Sequence, residues 1–198
     1  MKGKLTLMAC LIGLIIFCTD YTNIFARKLI GKPVSSSIVK ESTKVKNSIV
    51  AFLQWYKLNL HKANSFPLLA KDSSGYYMLN KQAAGNYLNF MRSSKCVSEK
   101  YIGYWKTYFN EKADMLKNEK LTSDIPEGFD FDFVLITQEP ELILNKIAQL
   151  KLNIISMNAS TALVSVTLPS VTIVTYEFEM YKVKALWKIG YISTPNYD

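Results

Sequence analysis

Two carboxylates, Asp130 and Asp132, stand two residues apart in the run Phe129-Asp130-Phe131-Asp132-Phe133. On a strand such residues leave the same face about 7 Å apart. Paired carboxylates at that spacing can divide acid and base roles or bind a cation. They equally suit a solvated or salt-bridged strand face, because no further Asp, Glu or Asn follows at calcium-loop spacing. Gln138 and Glu139 come just after this run. They either add to a polar pocket backed by Trp55 and Tyr56 or finish the strand before the turn at Pro140. The candidate ligand-binding set is therefore Trp55, Tyr56, Asp130, Asp132 and Gln138.

Other chemistry is poorly supplied. His61 is the only histidine, and its place near a helix end suits capping of unsatisfied carbonyls. Without a second histidine, a cysteine cluster or a Gly-rich phosphate loop, zinc sites, Ser-His hydrolysis and nucleotide binding have no residues to stand on. No metal and no cofactor is expected. Lysines interleave with aromatics at Lys100-Tyr101, Tyr104-Trp105-Lys106 and Tyr181-Lys182, as in some single-strand binders. Most of those aromatics belong to a core stripe, and an exported protein rarely meets nucleic acid, so nucleic acid is not an expected partner.

The elements that must position these residues follow from length and pattern. The chain has 198 residues, 49% of them hydrophobic and 13% aromatic, enough for one domain with a full core. Residues 1–26 resemble an export signal, with Lys2 and Lys4 followed by an apolar run from Leu5 to Cys18 and a small residue, Ala26, at the expected cut. That run is too short to span a bilayer comfortably. The uncleaved anchor and the lipoprotein remain as alternatives; in the lipoprotein, Cys10 after Leu7-Met8-Ala9 would need a longer apolar stretch before it. Processing would leave no transmembrane domain and would remove Lys2, Lys4 and Asp20, moving the formal charge from +8 to +7. A basic surface attracts acidic partners, although scattered lysines need none. Cys96 would then be the sole cysteine, which excludes an intrachain disulfide and suits a buried or idle thiol.

Residues 27–44 are Ser- and Lys-rich and are expected to form a flexible tether to a single α+β domain over residues 45–198. Val45, Ile49, Phe52, Leu53, Tyr56 and Leu60 recur at helical spacing, and Pro67 follows the end of that helix. A second helix, capped by Asn80, carries Ala83, Ala84, Tyr87, Leu88 and Met91 inward. A third, capped by Ser98, carries Tyr101, Tyr104, Trp105, Tyr108, Lys112, Met115 and Leu116. After the break at residues 123–128 the period changes to two, which predicts a strand with Phe129, Phe131, Phe133 and Leu135 on one face and both aspartates on the other. A short helical turn is expected over residues 140–146. Strands at residues 150–157 and 161–168 flank a tight connection, and strands at 171–183 and 187–193 flank another. Helices first and an antiparallel meander later give an α+β order, with three N-terminal helices packed on a curved antiparallel sheet.

That order, ending in Trp187-Lys188-Ile189, resembles the nuclear-transport-factor-two-like (cystatin-like) cone fold. More closely, the chain resembles a family of exported bacterial domains of unknown function, found as Bacteroidetes secreted proteins and enterobacterial lipoproteins. The matching stretches are Phe52-Leu53-Gln54-Trp55-Tyr56; Ser93-Ser94-Lys95-Cys96-Val97-Ser98 with Tyr101, Trp105, Tyr108 and Phe109; and Gly128-Phe129-Asp130-Phe131-Asp132-Phe133-Val134 with Gln138. The resemblance implies the cone fold and a periplasmic or secreted location, and it carries over no catalytic residue. The chain departs from the lipoprotein members by lacking a credible lipobox. Three functions fit. One is a non-enzymatic domain that binds a small ligand, an envelope component or a protein. Another is a small enzyme using an Asp130/Asp132 carboxylate as general base, by analogy with ketosteroid-isomerase-like cones. The last is an immunity or inhibitor protein.

Overall fold

The computed structural model describes residues 36–168, 174–193 and 196–197. The expected export segment, the tether up to residue 35 and the start of the strand at residue 171 lie outside the described residues. The chain divides into one unit ending at Lys40 and a second, Glu41–Asp198. In the first, the described residues are helical. Apart from the start of the first helix, all that follows concerns the second.

Helix α1 is Ser36–Asn64. Residues 36–44, expected as tether, are therefore helical. Within the second unit Glu41 has a reason to be ordered: its carboxylate accepts from Lys44 and Lys182, each at 2.6 Å, and from the Trp187 indole at 3.1 Å. The anticipated stripe of Val45, Ile49, Phe52, Leu53, Tyr56 and Leu60 is buried throughout. The next elements are β1 (Leu69–Lys71) and β2 (Tyr77–Leu79), a small antiparallel hairpin. Helices α2 (Lys81–Ser93) and α3 (Glu99–Glu119) follow. Asn80 caps α2 by accepting from the Ala83 amide at 3.1 Å, and the five residues expected inward on α2 are all buried. Ser98 occupies the cap position of α3 without a side-chain hydrogen bond. The α3 stripe runs through Tyr101, Ile102, Trp105, Phe109 and Leu116; Tyr104, expected inward, is instead exposed and meets Tyr191 edge-on at 4.9 Å.

Two short helical pieces, α4 (Pro140–Leu144) and a 3₁₀ turn at Ile147–Gln149, lead into the sheet. Pro at an early position of α4 matches the anticipated turn and fits a site whose N–H has no helical partner. Strands β3 (Lys151–Met157), β4 (Thr161–Leu168), β5 (Val174–Val183) and β6 (Leu186–Ile192) form an antiparallel meander in that order, with β7 (Asn196–Tyr197) beside β5. The connection at residues 158–160 is held by Asn158, whose Oδ1 accepts from the Ser160 and Thr161 amides, each at 2.8 Å. Alternate residues of β4 and β5 face inward: Ala162, Val164, Val166 and Leu168 with Tyr176, Phe178 and Met180. The approach to α3 is stitched to β6, since Ser98 N–H donates to the Ile189 carbonyl and Ile189 N–H to that of Cys96. The α+β class and the order of helices before an antiparallel sheet thus hold. Among the described residues no helix is long and apolar enough to cross a membrane.

Candidate functional site

The run around Asp132 is not a strand. From Gly128 to Gln138 the backbone turns repeatedly, and it pairs with itself at a single bridge between Asp132 and Thr137. The alternation of Phe and Asp misleads because an aspartate side chain can capture its own chain two and three residues on. Asp132 Oδ1 accepts from the Val134 amide at 3.0 Å and the Leu135 amide at 2.7 Å. Its backbone N–H donates to the Thr137 carbonyl and its carbonyl accepts from Ile136. Ile136 takes a left-handed conformation, φ 49°, to close this turn. Gly128, φ 90°, opens the segment; a Cβ there would collide with the Tyr108 hydroxyl, which donates to the Gly128 carbonyl at 2.7 Å.

Tertiary contacts fix the turn from three sides. The Tyr56 hydroxyl, from α1, donates to Asp132 Oδ2. Tyr176, from β5, donates to the Leu135 carbonyl at 2.9 Å. Phe133 enters the core, with Trp105 at 5.3 Å, Phe109 at 5.4 Å and Tyr87 at 5.9 Å, all edge-on. Edge-to-face pairs of this kind place the positive ring edge on the negative face.

Asp132 is a buried carboxyl, 7% exposed, whereas Asp130 is exposed. The two aspartates therefore do not pair on a strand face: one is enclosed and the other meets solvent. Burial pushes the Asp132 carboxyl above its ordinary value, against the downward pull of the Tyr56 hydroxyl and the Leu135 and Val134 amides. Burial likewise pushes the Tyr56 phenol well up, and the neighbouring Asp132 pushes it further. Tyr56 is thus a neutral donor.

A cleft of about 500 Å³ opens beside this turn. Phe66, Phe129, Phe131 and Phe133 supply its aromatic lining, and Tyr56 and Tyr87 line it also. Asp130, Asp132, Gln138 and Asn64 provide the polar groups, and Gln138 Nε2 approaches Asp130 Oδ2 at 3.4 Å. Four of the five anticipated residues, Tyr56, Asp130, Asp132 and Gln138, are thereby brought to one cleft. Trp55 is not. One residue along a helix is a rotation of about 100°, and Trp55 points toward Phe90, with ring centroids 5.1 Å apart. Sequence spacing gives Phe66 and Tyr87 no place in the site. Helical period alone puts Tyr87 in the core, and its hydroxyl is fully buried without a hydrogen-bond partner, as are those of Tyr101 and Ser98. Burial and the nearby Tyr101 and Asp132 push the Tyr87 phenol well up.

Among the described residues no group of three or more His, Cys, Asp or Glu is arranged to hold a metal ion. His61 lies in the exposed last turn of α1. Cys96 is a free, half-buried thiol pushed up by burial, the opposite of an activated nucleophile. No family model, curated protein or solved structure matches this chain.

Proposed function

We propose that the chain is an exported binding domain whose cleft beside the Asp132 turn holds a small, largely apolar ligand. The observation that carries this is the cleft itself. Its volume of about 500 Å³ and its lining of aromatic and aliphatic side chains with a few polar groups match the usual build of small-molecule sites. The nuclear-transport-factor-two-like cone is part of the proposal. It draws support from the helices-then-meander order and from bulges at Ile154/Ser156 and Glu179/Met180, which bend a sheet. Export to the periplasm or beyond rests on the apolar leader and the family resemblance.

Catalysis by a carboxylate is the second reading, and the raised Asp132 carboxyl in an apolar setting favours it. Its lone pairs count against it. Oδ1 is taken by two amides and Oδ2 by Tyr56, so the group is occupied in holding the turn.

The test is to incubate the purified protein with envelope extract, re-isolate it and identify small molecules it retains by mass spectrometry. Ile125→Trp, at an exposed position on the cleft wall, serves as the blocked control. A compound retained by the native chain and lost from the variant supports the reading; ligand-free native protein contradicts it.

A further inference from the structure

A second cleft, of about 290 Å³, shares no lining residue with the first. Helix α2 lines it with Lys81, Ala84, Gly85, Leu88, Asn89 and Arg92. Their spacing of three and four residues puts them on one stripe of the helix. Helix α3 contributes Ile102, Lys106 and Phe109, and β2 contributes Leu79. The floor is apolar, because Leu79, Ala84, Leu88, Ile102 and Phe109 are all buried core residues.

The rim carries one sign of charge. Lys81, Arg92 and Lys106 are exposed there, and no carboxylate lines the cleft. Arg92 is already neutralised by Glu99, at 3.0 Å, and bonded to Asn89 at 2.8 Å. Lys81 and Lys106 form no ion pair among the described residues. An apolar trough under two unneutralised cations is complementary to a molecule with an alkyl body and an anionic end, since lysine stems can lie along the chain while their ammonium groups meet the head.

Gly85 lies on the same stripe of α2 and lines the cleft. A glycine inside a helix destabilises it relative to alanine. Here the backbone does not require one, and a Cβ would meet nothing within 4 Å. Neither strain nor packing explains the residue. The absence of a side chain on the stripe that faces the cleft keeps the trough open.

We propose that this second cleft binds a single-chain anionic amphiphile, a medium-length alkyl carboxylate, with the chain along the Leu88–Ile102–Phe109 floor and the carboxylate at the rim lysines. The site is independent of the Asp132 cleft and stands or falls without it.

The test is a titration of the isotope-labelled protein with octanoate, followed by amide NMR, with acetate and octanol as probes of head and tail alone. Saturable shifts are expected at Gly85, Leu88 and Ile102 with octanoate, at lower concentration than with either control. Lys81→Gln with Lys106→Gln should weaken octanoate by about tenfold, the combined effect of two partly screened ion contacts. Gly85→Leu introduces a better helix former into open space, so it should fold at least as well and lose octanoate binding. The proposal is overturned if octanol or acetate saturates the same amides as readily as octanoate. It is also overturned if the double lysine variant binds unchanged, if Gly85→Leu retains binding, or if the shifts centre on Asp132.

Discussion

Tyr56 on the first long helix donates its hydroxyl hydrogen bond to Asp132, 76 residues further along the chain. This contact ties the helical half of the domain to the turn that shapes the cleft. Tyr56→Phe removes the donor and leaves Oδ2 buried without its partner, which should cost about 1–3 kcal/mol. Chemical denaturation of the two proteins checks this, and a loss below about 0.5 kcal/mol would show that the contact is not held in solution.

The carboxyl of Asp132 should leave a signature in the pH dependence of stability. Its folded value is raised by burial. The folded state therefore binds the proton more tightly, and that contribution is complete below pH about 4 and lost as pH rises through the folded value. Asp132→Asn, neutral at every pH, lacks this slope. The stability difference, wild type minus variant, should fall as pH rises above about 4; a flat difference means that the carboxyl titrates alike folded and unfolded.

Glu41 behaves in the opposite sense. Lys182, Lys44 and the Trp187 indole hold its carboxyl down to about 2. Its contribution is present above the ordinary glutamate value and fades as pH falls from there toward about 2. Thermal melts across that window should show wild type converging on Glu41→Gln as the medium becomes acid. Parallel melting curves at every pH would remove the anchoring role given to Glu41.

Phe133 is the ring on which the aromatic cluster converges, touching Tyr87, Trp105, Phe109 and Phe131. Truncation to alanine should cost about 3–5 kcal/mol, the usual range for a core phenylalanine. Urea unfolding gives the value directly, and a cost near that of a surface change would place Phe133 outside the core.

Tyr87 offers a contrast to Tyr56. Its hydroxyl is buried without a partner, so Tyr87→Phe removes an unsatisfied group while keeping the ring. The melting temperature should stay or rise. A loss comparable to that of Tyr56→Phe would mean the hydroxyl is bonded within the fold.

The helical half of the fold was legible because burial follows a three-and-four rhythm that packing does not disturb. Every inward residue anticipated on α1 and α2 is buried. Period also located the four long strands, where alternate residues of β4 and β5 face the core. It failed at residues 129–135, where Phe-Asp alternation imitates a strand while Asp132 uses its side chain to fold the backbone on itself. The short β1–β2 hairpin was invisible to period, since three-residue strands carry none. Its signal was local: Asp72-Ser73-Ser74-Gly75, in which Asp72 Oδ1 accepts from the Ser74 and Tyr76 amides and Gly75 takes φ 83°. At the site, residue type pointed to Tyr56, Asp132 and Gln138. The aromatic wall from Phe66 and Tyr87 depends on contacts distant in sequence, which no spacing encodes.

Occupation of the Asp132 cleft is the claim on which the functional reading turns. The most direct measurement is NMR shift mapping of the native protein with whatever compound it retains from envelope extract. The perturbed resonances should cluster at Phe129, Phe131 and Gln138 and vanish in Ile125→Trp. Perturbations that leave those three residues untouched would contradict it.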